Sequence, residues 1–308
     1  MRVNVPMRNG DKSREERTST LEVIAASAAK GREVIVAGEV ADIRFPKGGS
    51  LSLLASKLFV QLLERAGADV VNDREHRTTL ESLNWSHRDL ESIEDAVDEL
   101  HGTRVSLTVE TPRGRRRLSG SILAHVDRPA EGYAGELLWE FSKTFRAVVK
   151  RSHHWAAISA RAVLAMECKY SPWLYQLCAL HAGRERVSHE WDLDDLRERL
   201  GASAPSLRRW IAFRQRVLEP AVAEINHLTG IGIAWEPIKR GRSVVGIRLF
   251  TWQKAQAELD AAAAELDQPR VGRKARRDDL TERIVDQRVR LRRQIAKEFQ
   301  ALPLHKRR

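Results

Sequence analysis

The chain has 308 residues, and 53 Lys+Arg against 42 Asp+Glu leave a net charge of +11. At roughly 150 residues per domain this length predicts two domains, each able to bury its own core. With 42% apolar and 31% charged residues the composition excludes a disordered or fibrous chain, and the basic excess makes nucleic acid the expected partner. No stretch approaches the ~20 apolar residues of a membrane span. The opening Met1-Arg2-Val3-Asn4-Val5-Pro6 lacks the apolar core of a secretory signal, so a cytoplasmic location and no membrane partner are expected. Only two cysteines, Cys168 and Cys178, are present, which excludes a disulfide scaffold and any cysteine-built zinc site.

The charge is uneven. Fourteen Lys/Arg and seven Asp/Glu lie between Ala261 and Arg308, so this stretch carries +7 and the preceding 260 residues only +4. A basic tail on a nearly balanced body suits a nucleic-acid or partner-binding extension. Residues 1–18 are polar with few apolar anchors and are expected to be mobile.

The first half reads as helices followed by strands. Leu51, Leu54, Leu58 and Leu62, with Phe59 alongside, recur at helical spacing. A second helix starts at Ser86, with Asp89 as its capping-box partner, carries Leu90, Ile93, Val97 and Leu100, and stops at Gly102. Val105, Leu107 and Val109 then alternate, and Thr111-Pro112-Arg113-Gly114 forms a turn. Leu118, Ile122 and Ala124 predict the returning strand, and Gly135–Phe141 a third. Helices followed by a hairpin with a basic tip (Arg113, Arg115, Arg116, Arg117) is the plan of a winged-helix domain. The same tip also reads as a plain solvated turn.

The second half repeats the plan. Ala157–Cys168 is expected to be helical, and Ser171-Pro172 begins the next helix, with Ser as N-cap and Pro at the first position. Leu174, Leu177, Cys178 and His181 share one face, which makes Cys178 a core residue. Asp192 caps a short helix bearing Leu193, Leu196 and Leu200, closed by Gly201. After Ala204-Pro205, Ser206 is expected to cap a longer helix. Two helices so spaced form a helix-turn-helix, whose second helix enters the major groove of DNA. Ile231–Trp235 and Val244–Phe250 form a hairpin tipped by Lys239-Arg240-Gly241-Arg242, a second wing.

A helical wheel gathers Leu207, Ile211, Leu218, Val222 and Ile225 into one core-facing stripe. Arg208, Arg209 and Arg216 fall on the opposite side, and no acidic residue lies between Ser206 and Leu218. Arginines on the outer face of such a helix suit base edges and phosphates. Arg214 falls beside the apolar stripe, where it either touches DNA or pairs with a carboxylate of a neighbouring helix. Pro220 is expected to kink the helix by removing the bond to the Arg216 carbonyl.

The run Arg216-Val217-Leu218-Glu219-Pro220-Ala221-Val222-Ala223-Glu224-Ile225-Asn226, followed by Lys239-Arg240-Gly241-Arg242, strongly resembles the initiator Rep proteins of iteron-controlled plasmids. Lys169-Tyr170-Ser171-Pro172-Trp173-Leu174-Tyr175 and Asp195-Leu196-Arg197-Glu198-Arg199-Leu200-Gly201 are similar to that family's preceding helices. The likeness is specific over about residues 157–250 and looser over 40–156. It departs from the family at Pro172 and at Ala204-Pro205, which bear on where the recognition helix starts.

The resemblance implies an α+β, helix-rich fold of two tandem winged-helix domains. The expected organisation is a mobile 1–20, a first domain 21–155 for dimerisation and DNA contact, a second domain 156–255 for iteron recognition, and a basic, partly helical extension 256–308. It further implies that monomers bind direct repeats at a plasmid origin, help open an AT-rich region, and recruit the host initiator and replicative helicase in the bacterial cytoplasm. Dimers would bind an inverted repeat and repress the protein's own gene. By position, Arg209, Arg214 and Arg216 would touch DNA, with Lys239, Arg240 and Arg242 on the wing.

Two rival classes remain. A rolling-circle nickase needs a metal-binding histidine pair and a nucleophilic tyrosine. His153 and His154 are adjacent and would project oppositely from a strand, and Tyr170 and Tyr175 fall in a predicted core helix. No phosphate-binding loop motif occurs, and Asp192, Asp194 and Asp195 read as an ordinary acidic helix start. No catalytic residue, metal or cofactor is therefore expected. The second rival, a winged-helix transcription regulator, needs the same groove contacts.

Overall fold

The computed structural model describes residues 18–28, 33–45, 49–83, 90–129, 135–182 and 188–277. The expected cap Ser86 with Asp89, and the extension beyond residue 277, lie outside them. The fold is of mixed helix and strand and contains two winged-helix arrangements in tandem.

Helices α1 (Thr20–Ala28) and α2 (Gly38–Ala41) open the first half. Helix α3 (Leu53–Ala66) starts where the Ser52 hydroxyl accepts from the Ala55 amide, and it buries Leu58, Phe59 and Leu62. Helix α4 (Leu90–Gly102) buries Ile93, Val97 and Leu100 and ends at Gly102. Strands β3 (Arg104–Thr111) and β4 (Gly114–Ser121) form the wing, with Leu107 opposite Leu118 and Glu110 opposite Arg115. The return does not run on through Ala124 as expected. Ile122 is fully buried and its carbonyl accepts from the Ser142 amide, which turns the chain out of the hairpin. The following β5 (Leu123–Asp127) joins another sheet, pairing with β6 (Glu136–Phe141), which pairs in turn with β2 (His76–Thr79). The Ser142 hydroxyl then caps α5 (Lys143–Arg151) by accepting from the Phe145 amide.

The expected helix over Ala157–Cys168 is a second correction. Trp155–Ile158 is a strand, β7, antiparallel to β1 (Val34–Ala37), and only Ala160–Ala165 is helical (α6), capped by Ser159. Ala156 and Ile158 are wholly buried while their neighbours are half-buried, so the pairing of two strands overrides the helix preference of the alanines. Helix α7 (Ser171–His181) has Pro172 in its first turn as expected and buries Cys178, but Ser171 is not its cap. The Ser171 hydroxyl instead donates to Glu224 at 2.6 Å.

The second arrangement closes with a three-stranded sheet in the order β8 (Ser188–Asp192), β10 (Ser243–Gln253), β9 (Ile231–Arg240). The two halves share one hydrophobic core. Trp173 of α7 stacks on Phe59 at 5.7 Å, meets Phe45 edge-on at 5.0 Å, and donates its indole N–H to Ser56 at 3.0 Å. A polar seam runs beside it. Arg44 donates to Asp195, Arg199 pairs with both Asp195 and Asp42, and the Phe45 amide donates to the Glu198 carbonyl.

The C-terminal stretch packs on this body through its cations. Helix α11 (Gln256–Asp267) presents Glu265, which pairs with Arg273 and Arg276 and meets His227 Nε2 at 3.3 Å. Arg277 pairs with Glu224, and Arg270 and Arg273 donate to the carbonyls of Leu164 and Ala165. Arg273, Arg276 and Arg277, part of the basic tail that the charge distribution marks as a nucleic-acid or partner-binding extension, are thus held in the protein's own ion pairs. Lys274, between them, is exposed.

Lys57 of α3 is buried beside this cluster, and desolvation, reinforced by Arg270, holds its ammonium down to about 8 from the ordinary 10.5. Between these pH values the unfolded chain binds more protons than the folded one, so Lys57 makes stability rise with pH across that window. Relative to a Lys57→Met variant, the wild type should therefore gain unfolding free energy from pH 8 to 10.5. Urea denaturation across that range checks this, and parallel profiles for the two proteins would refute it.

Candidate nucleic-acid interface

The interface is built from α8 (Leu193–Leu200) outward. The Asp192 carboxylate accepts from the amides of Asp194 and Asp195 at 2.9 and 3.2 Å, fixing the start of this helix as expected. Gly201 ends it in a left-handed turn (φ 61°), where an added Cβ would lie 2.8 Å from Ser50.

The next helix departs from the expected start at Ser206. Pro205–Leu207 is a single 3-10 turn anchored by buried Leu207, and α9 (Trp210–Phe213) begins with Arg209 extended at its N-cap. The physical cause is Arg197. Its guanidinium pairs with Asp194 at 2.6 Å, lies over the Phe213 ring, and donates to the Arg208 carbonyl at 2.7 Å. With its carbonyl tied down in this way Arg208 keeps helical angles, but Arg209 after it is extended and the helix starts afresh at Trp210. Sequence reasoning missed Arg197, although an arginine in a short helix beside acidic residues was a signal for it.

Helix α9 passes through a π turn, Arg214–Leu218, into α10 (Glu219–Leu228). Pro220 has no N–H for the Arg216 carbonyl, and the Glu219 amide bonds five residues back to Arg214. The expected kink is thus a widened turn. It slips the phase of the buried stripe, which becomes Phe213, Val217, Leu218, Ala221, Val222 and Ile225. Ile211, expected in the core, is instead 54% exposed.

Arg208, Arg209 and Arg216 are exposed, as the wheel indicates, and among the described residues none of the three forms an ion pair. Arg214 is half-exposed and lies 3.5 Å from Glu219 of its own helix, not from a neighbouring one. Trp210 packs edge-on against Trp235 of β9 at 5.8 Å, tying the helix start to the sheet.

The wing tip turns at Gly241 (φ 61°), and Lys239, Arg240 and Arg242 are all exposed. The wing's base is braced by Arg248 on the central strand. It donates to Glu190 of β8 and Glu236 of β9 at 2.5 Å each, and the hydrogen bond to Glu190 holds its pKa above the ordinary value. Arg208 and Arg242 line one cleft of about 480 Å3 between helix and wing, with Asp192, Asp194 and Trp210. The remaining cations lie apart. Arg113, Arg115, Arg116 and Arg117 are exposed on the first wing, where Arg115 lies 3.8 Å from Glu110.

Among the described residues no group of three or more His, Cys, Asp or Glu could hold a metal ion. His153 and His154 are exposed, and His154 Nδ1 lies 3.7 Å from Glu39. No helix of the described residues is long and apolar enough to cross a membrane. The clamp itself is open to test. Arg197→Lys keeps the charge but loses the fork, and should lower the unfolding free energy by about 2 kcal/mol in urea denaturation.

No curated protein sequence matches the chain. Among solved structures, the crystal structure of the Pi initiator protein in complex with iteron DNA is similar at a TM-score of 0.52 and 16% identity, covering 74% of this chain and 99% of that one. The MSBI1.176 WH1 domain, a replication protein isolated from a multiple sclerosis patient, aligns at 14% identity over 33% of this chain and 82% of that one, with a TM-score of only 0.26. Residues 192–252 match the family model described as "Initiator Rep protein, WH2". They span the capped α8, the helix that follows it and both strands of the wing, so this stretch is similar to the second winged-helix domain of the initiator Rep proteins.

Proposed function

We propose that this protein is a plasmid replication initiator that binds directly repeated iteron DNA. The carrying observation is the set of unpaired, exposed cations Arg208, Arg209 and Arg216 beside the Lys239-Arg240-Gly241-Arg242 wing, with Arg208 and Arg242 lining one cleft. A helix start and a wing so arranged can reach a major groove and its flanking phosphates together. The fold shared with an initiator solved on iteron DNA supports the same reading.

In this reading the bound protein promotes opening of the adjacent origin DNA and recruits the host initiator and helicase from the bacterial cytoplasm. A dimer formed through the first half occupies an inverted repeat and represses the protein's own gene. The role is binding, without catalysis. Tyr175 supports that part, because it is buried, its oxygen accepts from the Ser159 amide at 3.1 Å, and burial pushes its phenol pKa up. Such a group is a poor nucleophile for strand cleavage.

Footprinting the purified chain on the DNA flanking its own gene tests this. Several protected direct repeats, spaced about two helical turns apart (~21 bp) and abolished by Arg209→Ala plus Arg216→Ala, are the expected result. Protection of a single inverted repeat would leave a repressor and remove the replication role. Each phosphate-binding arginine replaced by alanine should also flatten the salt dependence of binding by about one unit of slope.

A further inference from the structure

Large apolar side chains are rarely left in water on a well-packed body, and among the described residues only Ile211 and Val271 are large hydrophobics in that state. Val271 lies in the C-terminal stretch. Ile211 lies in the first turn of the recognition helix, two residues after Arg209 and one turn before Gln215, which is also exposed. Residues four apart are neighbours on a helix surface, so Ile211 and Gln215 form one strip flanked by Arg208, Arg209 and Arg216. The later helix start and the π turn produce this strip, because they move Phe213 into the core in place of Ile211.

An isoleucine among exposed arginines is poorly suited to a protein partner, whose apolar contact would also have to desolvate those cations. The floor of a DNA major groove offers what this strip lacks. It presents thymine C5-methyl groups for apolar contact and adenine N6/N7 edges for the amide fork of glutamine.

We propose that Ile211 and Gln215 read A·T base pairs in the major groove, Ile211 by packing on a thymine methyl and Gln215 by a paired hydrogen bond to adenine. The arginines then supply phosphate attraction and guanine contact, while this pair sets the A·T positions of the site. The inference rests on the DNA-binding role proposed above.

The test begins with selection of a binding site from random duplex by the full chain, followed by single replacement of each thymine by uracil, which removes only the methyl group. The wild type should lose affinity about fourfold at one or two positions, the worth of one buried methyl. The Ile211→Ala protein should bind more weakly but show no loss on uracil replacement at those positions. Replacing adenine by 7-deazaadenine should likewise weaken the wild type several-fold at a neighbouring position and leave Gln215→Ala indifferent. Circular-dichroism melting should show both variants folded, because neither side chain is in the core. Methyl sensitivity that is absent in the wild type, or unchanged in Ile211→Ala, would overturn the inference while leaving the DNA-binding role intact. Failure of the selection to enrich any sequence would instead bring down that role.

Discussion

The buried carboxylate of Glu224 is the interaction on which the rest of the second half depends. It sits on α10 and accepts from the amides of Glu167 and Cys168 and from the Ser171 hydroxyl, while Arg277 pairs with it from the C-terminal side. One carboxylate thereby satisfies the turn that joins α6 to α7, anchors the rear of the recognition helix, and holds the C-terminal arginines on the body. A charge buried so deeply is tolerable only because its lone pairs are occupied from several sides. The neighbouring pair of Glu265 with Arg273 and Arg276 extends the same principle along α11.

With the rear fixed, two constraints shape the front of the helix. Arg197 ties down the Arg208 carbonyl just before the extended Arg209, and the missing amide of Pro220 converts the next turn into a π turn. Together they separate a packed rear from a front that displays Arg209, Ile211, Gln215 and Arg216. Arg248 and the Trp210–Trp235 contact do the corresponding work for the wing, holding its base against the sheet while Gly241 lets the tip turn. Such support suits the proposed reading of DNA, because side chains discriminate between bases only when their backbones are held in place.

The two winged-helix arrangements are joined by packing as well as by sequence. Trp173 fills a site made by Phe45, Phe59 and Ser56, and the seam of Arg44, Asp42, Asp195 and Arg199 runs alongside. Burial lowers the Arg199 pKa to about 10, well within the range where it stays charged at neutral pH. An apolar contact backed by paired charges sets the orientation of one half against the other.

Much of this was legible in the residues themselves. The stripes of α3 and α4, the Asp192 cap, the Gly201 stop, the hairpin tips and the exposed arginines follow from spacing and turn chemistry, which act within a few residues. Arg208, Arg209 and Arg216 could be placed on an outer face because a helical wheel sets them opposite the apolar stripe, and no acid between Ser206 and Leu218 is there to pair with them. What the residues could not reveal was decided by partners distant in sequence. Trp155–Ile158 became a strand because Val34–Ala37 was there to pair with it, and Ser171 gave its hydroxyl to Glu224 instead of capping its own helix. Arg273, Arg276 and Arg277 counted as tail charge until Glu265 and Glu224 came within reach. Ile211 moved from core to surface because a start set by Arg197 and a widened turn at Pro220 changed the phase of the whole stripe. Local spacing therefore determined most of the elements and which cations are available, whereas contacts between distant residues decided which segments pair as strands and where the helix after α8 begins, since the groups that fix both meet only in the folded chain.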